Sequence, residues 1–135
     1  MKWPLAYLIA VCSFFLSCNN DKNSTPLTDT DVATAFIRDI LDNNPDAAAQ
    51  YLLADESNRQ YFQIIREQYL KKDKAELQKY KNADIIINEI SNVTDSISIV
   101  NYSNSYDRSL KNKLKLVRKD GKWQVDLKYT FSGNM

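Results

Sequence analysis

The chain contains no histidine, and only two cysteines stand among its 135 residues. Without an imidazole, Ser-His-Asp and Cys-His catalysis is excluded, as is His-ligated zinc, copper or iron. Glycine is as scarce, with two in the whole chain, so a Gly-rich phosphate loop is excluded as well. An excess of one charge is also missing. The 18 basic and 17 acidic residues give a formal +1, a balance that argues against nucleic acid as the main partner. The extended apolar run, Leu5 to Leu16, falls short of the about 20 residues that a helix needs to cross a bilayer. No internal repeat breaks the chain into units, and no cofactor is expected.

That run has its own meaning. Lys2 precedes it, and it closes on Phe15-Leu16-Ser17-Cys18 before polar Asn19-Asn20-Asp21. A basic start, a short apolar core and a small residue at the end suit a signal peptide. The segment resembles a bacterial lipoprotein signal, in which a small residue precedes a cysteine that is acylated and heads the mature chain. That pattern prefers leucine three positions before the cysteine; here Phe15 stands there, with Leu16 one later. The resemblance implies a signal peptide over residues 1–17 and a polar tether over 18–27, with palmitate-type lipidation at Cys18. It also implies a membrane-anchored lipoprotein of the bacterial cell envelope, facing the periplasm or the cell surface. Two or more acyl chains give firm attachment where one does not. Cleavage before Cys18 removes Lys2, so 18 minus 1 leaves 17 bases against 17 acids. It also removes Cys12 and spends Cys18 on lipid. No thiol then remains for a disulfide, a cysteine metal site or a nucleophile.

Residues 28–135 read as a single α+β domain. Thr28-Asp29-Thr30-Asp31 offers a capping box, and Val32, Ala33, Phe36, Ile37, Ile40 and Leu41 follow at helical spacing. Asn43-Asn44-Pro45 ends that helix, and Pro45 opens a short second one over Asp46–Leu53 with Asn44 as cap. Ser57-x-x-Gln60 predicts the start of a longer helix carrying Tyr61, Phe62, Ile64, Ile65 and Tyr69. Asp73 can cap a new turn within it, so residues 58–81 are one helix or two.

Beyond Asn82 the pattern changes to strands. Ile85 to Ile90 reads as the first, Val93-Thr94-Asp95 as a turn and Ser96 to Tyr106 as the second. A switch of apolar parity between Ile99 and Val100 predicts a bulge there. Leu110 to Phe131 forms the clearest unit, because Asp120-Gly121 sits between two alternating runs. A type I′ turn needs positive φ at both central positions, which this dipeptide tolerates. The two-residue turn sets Lys119 against Lys122, Arg118 against Trp123, Leu116 against Val125 and Lys115 against Asp126. It also predicts Leu114–Leu127, Asn112–Tyr129 and Leu110–Phe131 pairs, gathering the apolar residues on one face. The expected fold is three N-terminal helices packed on a curved four-stranded antiparallel meander sheet.

With that layout, Phe36 and Ile40, the segment Ala47-Ala48-Ala49-Gln50-Tyr51-Leu52 and the Leu116 to Val125 hairpin resemble the nuclear transport factor 2-like superfamily. More narrowly, they resemble small bacterial lipoproteins of unknown function with a lumazine-binding-like domain. A cystatin-like roll, one helix on a four-stranded sheet, is the near alternative. The resemblance implies a cone whose mouth lies between helices and sheet, and homodimerisation through the sheet. It favours a non-catalytic domain binding a small ligand or an envelope protein. The rival is an isomerase or dehydratase that pairs a tyrosine with a carboxylate. Its candidates are Tyr51, Tyr61, Tyr69 and Tyr102 with Asp39, Asp84 and Glu89. The ordinary alternative is amphipathic core tyrosines and solvated acids.

Charge is distributed unevenly within the neutral total. Asp29 to Glu56 holds seven acids and one base, whereas Arg108 to Lys128 holds eight bases and two acids. Lys111, Lys113 and Lys115 are expected on the strand face opposite Leu114 and Leu116, joined there by Lys128. Such a stripe suits an anionic partner, although lysines on an outer sheet face also discourage edge pairing. Arg118 and Trp123, facing each other beside the turn, are placed for a cation–π contact or for the lip of the cone.

Overall fold

The computed structural model describes residues 27–132. The signal segment, Cys18 and most of the tether lie outside the described residues. The architecture is α+β, with helices α1 (Asp29–Leu41), α2 (Pro45–Ala49), α3 (Glu56–Leu70) and α4 (Lys74–Lys81) preceding the strands. Strands β1 (Ile85–Thr94), β2 (Ile97–Asn104), β3 (Asn112–Lys119) and β4 (Lys122–Asp126) follow, then a short helix α5 (Leu127–Phe131). The strands form one antiparallel meander in the order β1-β2-β3-β4.

Among the described helices, all but α2 start where a side chain takes an orphan backbone donor. The Thr28 box is complete, its hydroxyl accepting from Asp31 N at 3.1 Å while the Asp31 carboxylate accepts from Thr28 N at 2.9 Å. Helix α3 begins earlier than the Ser57 box predicts, because Asp55 is the cap and accepts from Asn58 N at 2.8 Å. Asp73 caps α4 through Glu76 N, so the segment after Ser57 is two helices. Asn44 makes no capping bond to α2, and that helix stops at Ala49 instead of Leu53. The chain beyond it lies alongside β4 instead. Leu53 N donates to Val125 O at 2.9 Å and Val125 N to Tyr51 O at 2.8 Å.

The Asp120-Gly121 corner adopts positive φ at both residues, 52° and 76°. The register it sets pairs Lys119 with Lys122, Arg118 with Trp123, Leu116 with Val125 and Lys115 with Asp126. There the ladder stops, and the expected Leu114–Leu127, Asn112–Tyr129 and Leu110–Phe131 pairs do not form. Asn58 Oδ1 accepts from Leu127 N at 2.6 Å, and Asp126 caps α5 by accepting from Lys128 N at 3.2 Å. Both bonds divert the backbone out of the ladder. A second correction concerns the bulge. The β2–β3 register runs unbroken from Ile97↔Val117 to Tyr102↔Asn112, and the shifts fall in β1 instead, between Ile87/Glu89 and Asn92/Thr94. The parity change in β2 has another cause: Val100 is fully buried, whereas Ile97 and Ile99 sit half-buried on the opposite face.

The core joins one stripe of α1 to the sheet. Val32, Phe36, Ile37 and Leu41 belong to a single buried cluster with Val100, Leu114, Leu116, Val125 and Leu127. Burying each large side chain of this kind contributes about 1.5–3 kcal/mol. Trp123 packs against the same cluster, half-buried.

Candidate functional site

A cavity of about 380 Å³ opens among α1, α3, α4, the sheet and α5. Its apolar side is made by Phe36, Ile37, Ile40 and Leu114, with Leu127 and Phe131 of α5. Its polar side carries Gln68, Tyr69, Lys72, Tyr80, Tyr102, Asn104 and Asn112. The volume lies within the range of small-molecule pockets, and so does the mixture of apolar wall and few polar groups. Helical spacing explains the α5 contribution: Leu127, Thr130 and Phe131 stand at i, i+3 and i+4 and so share one face. The Thr130 hydroxyl donates to Lys113 O at 2.7 Å, which ties α5 to β3.

Lys72 is the charged side chain among those lining this cavity. Its Nζ donates to Glu76 Oε1 at 2.5 Å and lies 4.7 Å above the Tyr80 ring and 5.8 Å from the Tyr69 ring. Burial pulls the ammonium pKa down, but the Glu76 hydrogen bond and the electrostatic influence of Tyr80 and Glu76 together outweigh it, and the value ends above its ordinary 10.5. Lys72 is therefore a fixed cation throughout the physiological range. An ammonium has three donors, and Glu76 engages one of them.

Two phenols of this wall, Tyr69 and Tyr102, are held neutral. Burial, together with the nearby Tyr102 and Tyr80 phenols, raises Tyr69 well above its ordinary value. Burial alone raises Tyr102 to about 12. The Tyr69 and Tyr80 rings meet tilted at 50° with centroids 5.9 Å apart, and Tyr80 meets Tyr106 edge-on at 5.0 Å. Asn104 Oδ1 accepts from Tyr106 N and Asp107 N, which holds the loop after β2. A second hollow of about 80 Å³ shares Ile40, Ile65 and Tyr69 with the first and adds Arg66.

Few of the residues singled out from sequence gather here. Tyr69 and Tyr102 line the cavity, but Tyr51 runs beside β4 and Tyr61 stacks on Phe131 at 4.9 Å. Asp39, Asp84 and Glu89 are not among its lining residues. Arg118 and Trp123 do face each other in the ladder, away from the cavity. The cation–π contacts among the described residues are made by Lys72 and Lys79 instead. The lysine stripe is partly internal. Lys115 lies 3.5 Å from the buried Asp126, and Lys128, placed on α5 and not on the strand, donates to Asp55 at 2.6 Å. Lys113 remains on that face, whereas Lys111, expected there too, precedes the start of β3 at Asn112.

Three residues missed from the sequence matter most. Lys72 stood in a polar interval that gave no sign of facing a cavity. Asn58 is fully buried, and Arg38 reaches from α1 to donate to Ala83 O at 2.8 Å and Lys81 O at 3.2 Å. Arg38 thereby closes the C-terminal end of α4, which carries the Tyr80 wall. The signal available for it was its isolation, the single base among seven acids from Asp29 to Glu56.

Compared with family models, curated proteins and solved structures, the chain matches none. Among the described residues no helix is long and apolar enough to cross a membrane, and no His/Cys/Asp/Glu group is arranged to hold a metal ion.

Proposed function

We propose that this chain is a membrane-tethered, non-catalytic binding domain that takes a small ligand into the cavity between its helices and sheet. The observation that carries the reading is the composition of the cavity wall. Three tyrosines and a lysine converge on an apolar floor, with no carboxylate among the lining residues. Proton abstraction of the isomerase type needs a carboxylate base within reach of the reacting carbon. The carboxylate beside this wall, Glu76, is held by Lys72 Nζ at 2.5 Å and is not a lining residue, so the tyrosine–carboxylate enzyme is the less supported alternative. The cone shape, with its helices on one face of a curved sheet as in the nuclear transport factor 2-like superfamily, is part of the same proposal. So is anchorage in the bacterial envelope through acylated Cys18.

Titration of an apolar fluorescent amine, aminoanthracene, into the full chain in lipid nanodiscs tests the binding reading, with empty nanodiscs as the blank. Gln68 is exposed and lines the cavity, so Gln68→Trp plugs the mouth with little strain on the core. Saturable binding weakened by about tenfold in that variant is expected, a loss of about 1.4 kcal/mol. Binding that is absent, or indifferent to Gln68→Trp, overturns the reading. The anchor is tested separately by Cys18→Ser, which is expected to abolish acyl incorporation and release the protein from the membrane fraction.

A further inference from the structure

We infer that the ligand of this cavity is a small apolar carboxylate, its body lying on Phe36, Ile40 and Leu114 and its head accepting from Lys72 beside Tyr69 and Tyr102. The inference rests on the binding reading above and adds the chemistry of the occupant.

Charge decides the sign of the head group. Lys72 is the charged residue in the lining, and the adjoining hollow adds Arg66 but no acid. Arg66 has an acidic partner, Asp46 Oδ1, at 3.7 Å, but that pair is largely solvated. A cationic ligand would meet the Lys72 ammonium already seated over the Tyr80 ring at 4.7 Å, the place that an aromatic cluster would otherwise offer it. Glu76 satisfies one of three ammonium donors, so a ligand oxygen can join without displacing it.

Hydrogen-bond polarity decides the kind of head. Tyr69 and Tyr102 stay protonated, and neither hydroxyl has a bonding partner within the described residues. Each can donate to a carboxylate oxygen while the ammonium supplies the charge. Charge-assisted bonds of this kind are about twice as strong as neutral ones. Shape decides the rest. The floor is hydrocarbon from α1, β3 and α5, and the polar groups are Tyr69, Lys72 and Tyr80 from α3 to α4 together with Tyr102 and Asn104 of β2. One face of the ligand must therefore be apolar and one end anionic.

Three probes sharing one apolar body separate the possibilities: naphthoate, naphthylmethanol and naphthylmethyl-trimethylammonium, each titrated into the full chain in nanodiscs by calorimetry. Naphthoate is expected to bind about tenfold more tightly than the alcohol, and the ammonium more weakly than both. Lys72→Met is expected to erase the preference for naphthoate over the alcohol, and Lys72→Arg to keep it. Tyr102→Phe retains the ring and is expected to cost naphthoate about threefold, which gives a readout even should Lys72→Met fold poorly. Alcohol binding as tightly as naphthoate, or a preference that survives Lys72→Met and Tyr102→Phe, overturns the carboxylate and leaves the cavity reading standing. Tightest binding of the ammonium does the same. Failure of all three probes, or binding that Gln68→Trp does not weaken, overturns both.

Discussion

Asn58 shows how much one side chain can decide. It is fully buried, accepts from Leu127 N at 2.6 Å, and donates to Asp55 Oδ2 at 3.0 Å and Asp126 Oδ1 at 3.4 Å. One amide thus ties the start of α3 to the junction of β4 and α5. Asn58→Ala strands the Leu127 N–H without water, and a loss of about 2–3 kcal/mol is expected in urea unfolding. The neighbouring carboxylate gives a pH signature. The Lys128 hydrogen bond and the Asn58 N–H hold Asp55 below its ordinary 3.8. Its contribution is present above that value and disappears as pH falls through the depressed one, so Asp55→Asn is expected to flatten the acid limb of a stability–pH curve. Tyr102 acts at the other extreme. Its folded value is raised from 10.0 to about 12, so the unfolded chain releases this proton first. Stability from this group is complete below the unfolded value and falls as pH climbs through the folded one. Tyr102→Phe is expected to lose less stability over that window, read by melts at stepped alkaline pH.

At the scale of elements, α4 depends on a neighbour more than on itself. It is short, has no buried residue, and has its end bound by Arg38 from α1. Arg38→Met is expected to cost about 2 kcal/mol, since charged hydrogen bonds to carbonyls are lost. Hydrogen exchange in α4 should accelerate before exchange in α1 does. The elements also mark where reading the sequence succeeded. The α1 stripe, its cap, the strand order and the hairpin register were legible because each is a local pattern: helical spacing, a capping box, or a turn dipeptide that demands positive φ. Leu127 to Phe131 was misread as strand because alternation at Leu127, Tyr129 and Phe131 satisfies a period of two. The helical face at Leu127, Thr130 and Phe131 satisfies i, i+3, i+4 equally well. Asn58, nearly 70 residues upstream with a separation of 69, decided between them. No local pattern carries a bond of that span, and the same holds for Lys72 and Tyr102, which the fold alone brings to one wall.

At the scale of the whole molecule, the proposed function separates attachment through Cys18 from recognition by the folded part. That part holds an open cavity with an apolar floor and a polar side that carries Lys72 and three tyrosines. The outer sheet face offers the rival surface, with Lys113 near the start of β3 and Lys111 just before it, while Lys115 and Lys128 pair with Asp126 and Asp55. Methyl chemical-shift mapping with naphthoate distinguishes the two surfaces directly. Shifts concentrated on Ile40, Leu114 and Leu127 are predicted, with the methyls of Ile97, Ile99 and Val117 on the outer face unmoved. Shifts confined to those outer-face methyls, or an unchanged spectrum, would contradict the account.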